Sequence, residues 1–309
     1  MTETTLAPRV TPKAVPAGVT ADPTALGWSR PTLFILMWSS GYIAGAIGIH
    51  YAPPFLMTTL RFALAAVVLL AVALVMRAKW PATRAEFGHI VVVGVLIQAV
   101  QFGGLYSGMK LGVSAAVSAL IVGTMPIWTA VFASIIFRDK IGRYQWLGLG
   151  LGLVGVALVV SNKLAAAHAA PLVGYAAVGC ALFGITSGTL YQKRYCKTMD
   201  VRTGGVIQLT VATIILGILA VSTETLSVNW TWSFIGAWTW MSVINSIGAI
   251  SLLFMMIRRG ESTRVASLFY LIPGVTALMS AGLLHETLTL PTIIGFALAA
   301  VGVYLSTRK

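Results

Sequence analysis

The chain has 309 residues, 58% hydrophobic and 9% charged, with a mean hydropathy of +0.89. A soluble globular domain carries about 25% charged residues, so a water-soluble fold is excluded and a polytopic membrane protein is implied. The formal net charge of +13 could suit nucleic acid, but the basic residues are distributed as membrane topology requires, and no nucleic-acid partner is expected.

Residues 1–27, rich in Thr, Ala and Pro, read as a disordered cytoplasmic tail. Apolar stretches follow at about 30–49, 54–76, 88–109, 113–137, 144–162, 171–192, 202–222, 232–257, 264–284 and 291–307. Each approaches the roughly 20 residues that cross hydrocarbon, which predicts ten spans. They are helices, because lipid offers backbone groups no partner and the stretches lack the alternation of a barrel strand. Taken alternately, the loops put 18 of the 21 Lys and Arg on one side, leaving Lys110 and Lys163 on the other and Arg61 inside a span. The positive-inside rule then places both termini in the cytoplasm, in a multi-pass cytoplasmic (inner) membrane protein.

Polar and aromatic interruptions carry the functional signal. In span one, Trp38 and Tyr42 lie deep enough to stack on a flat or cationic ligand, although packing is the commoner fate of either. Arg61 stands some seven residues from the outer end of span two. A charge at a helix centre costs about 2.5–3.5 kcal/mol, so Arg61 either faces a functional interior or snorkels to the outer surface. Gln98 is halfway along span three, on one stripe with Gly94, Gln101 and Leu105; Asn245 is halfway along span eight, with Trp238, Ser242 and Gly248. An unpaired amide in hydrocarbon costs about 1–3 kcal/mol, so both stripes face inward, toward a ligand or an interhelical hydrogen bond. Pro126 and Pro273 lie mid-way along spans four and nine, where each removes a backbone bond and predicts a kink, as a hinge or as a static bend.

Trp128, Trp240 and Tyr270 also lie deep, whereas Trp28, Trp80, Trp146, Trp230 and Trp232 suit an interfacial belt. Gly41 with Gly45, Gly104 with Gly108, Gly148 with Gly152, and Gly295 with Ala299 read as helix-packing pairs. Asp139 and Glu286, just before spans five and ten, suit a helix start. Cys180 and Cys196 are about 24 Å apart along a helix and cannot pair. No carboxylate lies at mid-depth and no His, Cys and acidic residues cluster, so neither a buried acidic proton relay, a metal, a cofactor nor catalysis is expected.

The second half repeats the first at an offset of 147 residues: Pro126 falls on Pro273, Gln98 on Asn245, Arg61 on Gln208, Gly148 on Gly295 and Gly155 on Gly302. Residues 28–163 and 164–309 are thus two five-helix repeats, and the odd number of spans in each inverts the second. Inverted repeats give secondary transporters two access states around one midplane site.

These features together resemble the drug/metabolite transporter superfamily, EamA type: ten spans, two inverted copies, the paired prolines, an acidic residue before a Gly-rich last helix in each copy, and the Trp38-Ser39-Ser40 start. Within it the YddG-type aromatic amino acid exporters are the nearest likeness. The chain has Ser39-Ser40 where Gly usually follows the Trp, and His285-Glu286 where the family has Gly-Glu. The resemblance implies export of a small organic metabolite, with amino acids, aromatic ones in particular, favoured. Gln98, Asn245, Gln101, Ser242, Trp38, Tyr42, Trp238 and Arg61 are the expected substrate contacts, and Pro126 and Pro273 the expected hinges. A nucleotide-sugar, sugar-phosphate or organic-cation carrier and a passive channel are the alternatives, and Arg61 alone is a poor match for phosphate.

Overall fold

The computed structural model describes residues 29–137, 142–165, 170–249, 252, 255–256, 268–269 and 271–306. The expectations for the tail at 1–27, Trp28, Asp139 and Tyr270 lie outside the described residues.

The described chain is all-helical. Spans one and two are Ser29–Gly48 and Pro54–Val75, and span three is Arg84–Lys110. Span four is split into Ala115–Gly123 and Met125–Phe137; spans five, six and seven are Arg143–Leu164, Leu172–Tyr195 and Val201–Thr223. Span eight begins as Trp232–Thr239 and continues through Trp240–Ala249, span nine is described over Ile272–Leu283, and span ten is Leu290–Ser306. Seven of these helices, spans one to seven, are long and apolar enough to cross a membrane. Side-chain caps fix several starts: Thr83, Ser114, Asp200 and Thr231 accept backbone N–H bonds from Glu86, Val117, Arg202 and Phe234.

The sequence repeat is a repeat of architecture. Spans two and seven begin at Pro54 and Val201, and spans five and ten at Arg143 and Leu290, both pairs 147 residues apart. Repeat mates pack on each other: two against seven, four against nine, five against ten. Contacts between other spans recur as well, with one on eight mirrored by six on three.

Hydrogen bonds at both ends show that mates run antiparallel. The Glu224 carboxylate, just past the end of span seven, accepts from Phe55 N and Leu56 N at the start of span two, 2.8 Å each. At the other end the Thr203 hydroxyl donates to Lys79 O, 2.7 Å, beyond the end of span two. Spans five and ten are tied likewise, where Thr289 donates to Asn162 Oδ1 at 2.8 Å. Glycine lets these two backbones touch: a Cβ on Gly155 would stand 2.5 Å from Gly295 O, and one on Gly302 2.5 Å from Gly152 N. The small-residue pairs of spans three, five and ten therefore pack as expected, Gly104 and Gly108 meeting Ala177, Ala181 and Gly174 of span six.

One irregularity recurs in both halves. Span three is π-helical over Gly94–Val100 and span eight over Trp240–Ala249, the segments that contain Gln98 and Asn245. Span four breaks just ahead of its proline, and a described helix of span nine starts just ahead of its own. Thr124 ends the first half of span four two residues before Pro126, and Pro273 sits in the first turn of the described span nine helix. These two places face one another, since a Cβ on Gly123 would lie 2.5 Å from Pro273 Cγ. In span four the expected mid-span kink is thus an interruption at Thr124, consistent with the missing proline N–H.

Candidate functional site

Asn245 links span eight to span one. Its Nδ2 donates to Met37 O at 2.6 Å, and because a carbonyl can only accept, this bond fixes the amide orientation. The same carbonyl accepts from Ser40 Oγ at 2.7 Å, and Ser40 Oγ in turn accepts from Trp240 Nε1 at 2.8 Å. Asn245 Oδ1 is buried and has no hydrogen-bond partner among the described residues. The space for the amide exists because position 41 is glycine: a Cβ there would be 2.6 Å from Asn245 Nδ2. One turn on, a Cβ on Gly45 would collide with the Tyr106 ring. Gly41 and Gly45, expected only to pack helices, shape the wall of this site.

Arg61 points inward and is 4% exposed, so it does not snorkel to the surface. Its Nη1 donates to Tyr106 Oη at 2.5 Å, while Nε and Nη2 donate to Ser246 Oγ at 3.3 and 3.2 Å. The guanidinium lies 4.6 Å from the Phe102 ring centroid and 5.3 Å from that of Phe62. Every one of these partners is formally neutral. The one described ion pair in the molecule joins Arg202 to Asp200. Tyr106 and Ser246 were not expected from sequence, since neither hydroxyl announces that it will meet a residue 45 or 185 positions away.

The other expected contacts divide. Ser242 is buried but its hydroxyl donates to Trp238 O at 2.7 Å, one turn back on its own helix. Trp238 rests edge-on against Trp230, centroids 6.0 Å apart, with its indole N–H buried and unpaired among the described residues. Trp38 packs edge-on against Phe269 at 5.3 Å and tilted on Phe34 at 5.5 Å, and Tyr42 is buried in the main apolar cluster. Trp240, read as deep, is 44% exposed and uses its N–H on Ser40. Gln101 is 5% exposed, with Oε1 unpaired among the described residues. Gln98 is half-buried on its π segment. That segment packs on spans six and seven, whereas the segment of Asn245 packs on spans one and two. The two amides therefore occupy equivalent places in the two halves and address different neighbours.

At one end of the bundle, side chains tie helix termini to one another. Glu224 caps span two, and Lys110 Nζ donates to Ile49 O, 2.7 Å, at the end of span one. Glu286 does favour a helix start, but not that of span ten: its carboxylate accepts from Ala115 N of span four at 3.0 Å. The sequence-adjacent helix was the wrong choice because the loop folds back across the bundle. His285 beside it has φ 56°, in the left-handed region where glycine is at ease. A cavity of about 220 Å³ lies beside the span four break, lined by Gly123, Thr124, Leu271, Pro273 and Phe296 among others. It borders neither Gln98, Asn245 nor Arg61; of these Arg61 and Asn245 are buried and Gln98 half-buried.

Known proteins match this architecture. The model of the EamA-like transporter family matches twice, at residues 32–161 and 172–308. A probable amino-acid metabolite efflux pump of Salmonella typhimurium is 25% identical over 285 residues, covering 89% of this chain and 92% of that protein. The uncharacterized transporter YvbV of Bacillus subtilis is 27% identical over 282 residues, covering 89% of each. A crystal structure with 18% sequence identity superposes with a TM-score of 0.62 over 90% of this chain and 95% of that one, which shows the fold. The chain belongs to the EamA-like transporter family and is a multi-pass membrane transporter, not an enzyme.

Proposed function

We propose that the protein exports small organic metabolites, amino acids first and aromatic ones in particular, by alternating access between its two inverted repeats. The carrying observation is the recurrence of a π-helical stretch around Gln98 in one half and Asn245 in the other. A π turn displaces the backbone ladder by one residue and is frequent at functional sites. Packing alone gives no reason to place one at equivalent depth in both copies, each with a polar amide inside it. The facing segments at Pro126 and Pro273 supply two hinges that bend alternately, and Trp38, Tyr42 and Trp238 supply apolar contact. The name of the Salmonella relative supports the substrate class and the outward direction. Both termini lie in the cytoplasm in this reading, with residues 28–163 and 164–309 as the two moving halves.

The test is flux in proteoliposomes loaded with single amino acids, nucleosides, sugars or organic cations. Saturable amino acid flux, accelerated by substrate on the opposite side and lowered at least tenfold by Gln98→Ala or Asn245→Ala, is expected. Flux that fails to saturate, or that ignores both substitutions, ends this reading.

A further inference from the structure

We propose that Arg61 and Asn245 together form a receptor for a zwitterion: the guanidinium takes the carboxylate of the transported amino acid and Asn245 Oδ1 takes its ammonium. The inference rests on the amino acid reading above and assigns its recognition chemistry to named atoms.

An arginine side chain has five N–H donors. Three are used in the structure, two on Ser246 Oγ and one on Tyr106 Oη, which leaves one on each terminal nitrogen. One free N–H on each terminal nitrogen lets the guanidinium donate to both oxygens of a carboxylate. Neutral hydroxyls and aromatic faces hold the guanidinium in place but leave its charge unbalanced, and a buried charge without a counter-charge is strongly unfavourable. A structural arginine at this depth would be expected to have an acidic partner, yet the chain has none at mid-depth in any span. A ligand that brings its own anion completes the site.

The second half of the receptor is the acceptor left over on Asn245. Its Nδ2 is committed to Met37 O, so the unpaired, buried Oδ1 can satisfy a donor but cannot bind an anion. Gly41 accommodates Asn245 and Gly45 accommodates Tyr106, and these glycines are four residues, about 6 Å, apart along span one. In an α-amino acid the amine nitrogen and carboxyl carbon are two bonds, about 2.5 Å, apart. Arg61 also donates to Ser246, the residue next to Asn245, so the guanidinium and the amide are neighbours, and hydrogen-bond reach of about 2.9 Å at each end of the amino acid joins them. Phosphate, with its greater charge, would require more cations than this one. An organic cation would be repelled by it.

The test uses the intact wild-type protein in nanodiscs and a matched ligand series: L-phenylalanine, L-phenylalaninamide, phenethylamine and 3-phenylpropionate, with the leucine counterparts in parallel. Calorimetric binding is expected for the amino acid, with at least tenfold weakening when the carboxylate is amidated or removed. Arg61→Gln should abolish that preference, and Arg61→Lys should restore part of it. Asn245→Leu should weaken the amino acid while leaving 3-phenylpropionate unaffected. The proposal is overturned if amide and acid bind alike to the wild type, a result that needs no variant to fold. It is also overturned if chloride alone stabilises the wild type but not Arg61→Gln while no organic ligand binds. Arg61-dependent binding of 3-phenylpropionate without any amino acid binding would sink the zwitterion and the amino acid reading, and leave the guanidinium as a carboxylate site. Saturable amino acid transport that is indifferent to Arg61→Gln would leave the function standing and remove this receptor.

Discussion

Gly41→Ala tests whether span one was shaped around the Asn245 amide. The new Cβ would stand 2.6 Å from Nδ2, where ordinary contact begins at 3.4 Å, so the amide must retreat by about 0.8 Å. The 2.6 Å bond to Met37 O then stretches beyond hydrogen-bonding distance. Losing an interhelical bond in a membrane costs about 0.6 kcal/mol, and overpacking adds about 1–3 kcal/mol. Better helix propensity for alanine returns about 1 kcal/mol, so the net loss is about 0.6–2.6 kcal/mol. With Asn245→Ala already in place the obstacle is gone and only the propensity gain remains. Gly41→Ala should then stabilise by up to about 1 kcal/mol, which reverses its sign. Unfolding in mixed dodecylmaltoside and dodecyl sulfate micelles, followed by tryptophan fluorescence, measures all four corners of this cycle. Equal destabilisation in both backgrounds would refute the reasoning.

Other expectations follow from single contacts. Gly302→Ala sets a Cβ 2.5 Å from Gly152 N and 2.6 Å from Gly148 O, backbone that cannot rotate away, so its cost should reach the upper part of about 1–3 kcal/mol. Thermal stability should fall while transport per folded molecule is retained. His285→Gly relieves a left-handed backbone that costs about 1–2 kcal/mol and adds about 0.5–1 kcal/mol of chain entropy to the unfolded state. It should stabilise by about 0.5–1 kcal/mol, and a fall in melting temperature would contradict the assigned backbone. Hydrogen bonds from Arg202 hold the Asp200 carboxyl below the usual carboxylate range. A lowered folded-state value makes this contribution fully present above about pH 4, the unfolded value, and lost as pH falls through the lower one. Melting curves between pH 3 and 7 should show an acid loss that Asp200→Asn reduces.

Much of the fold was legible because hydrophobic length and the 147-residue offset are properties of the chain itself. The offset that aligned Pro54 with Val201 also aligned the starts of the helices that pack as mates. Asn245 was legible for the same reason, since an amide halfway along an apolar span has to find a partner. Partner identity was another matter. Arg61 could have turned outward or inward until Tyr106 and Ser246, on two other spans, were seen to hold it. Glu286 was assigned to span ten, its neighbour in sequence, although its carboxylate accepts from the backbone N–H of Ala115, 171 residues away. The π segments had a partial signal in the mid-span amides, but a one-residue change of hydrogen-bond register leaves no mark on hydrophobic periodicity. Gly41 and Gly45 fit a packing motif so well that their second role, clearance for Asn245 and Tyr106, was hidden.

Substrate-protected labelling addresses the central claim most directly. In a background with Cys180 and Cys196 replaced, Gln98→Cys and Asn245→Cys would each be exposed to a membrane-impermeant maleimide with and without the transported amino acid. The account predicts that both positions react from water and that substrate slows both, because equivalent places in the two halves border one path. Labelling at neither position, or at rates that substrate leaves unchanged, would contradict it.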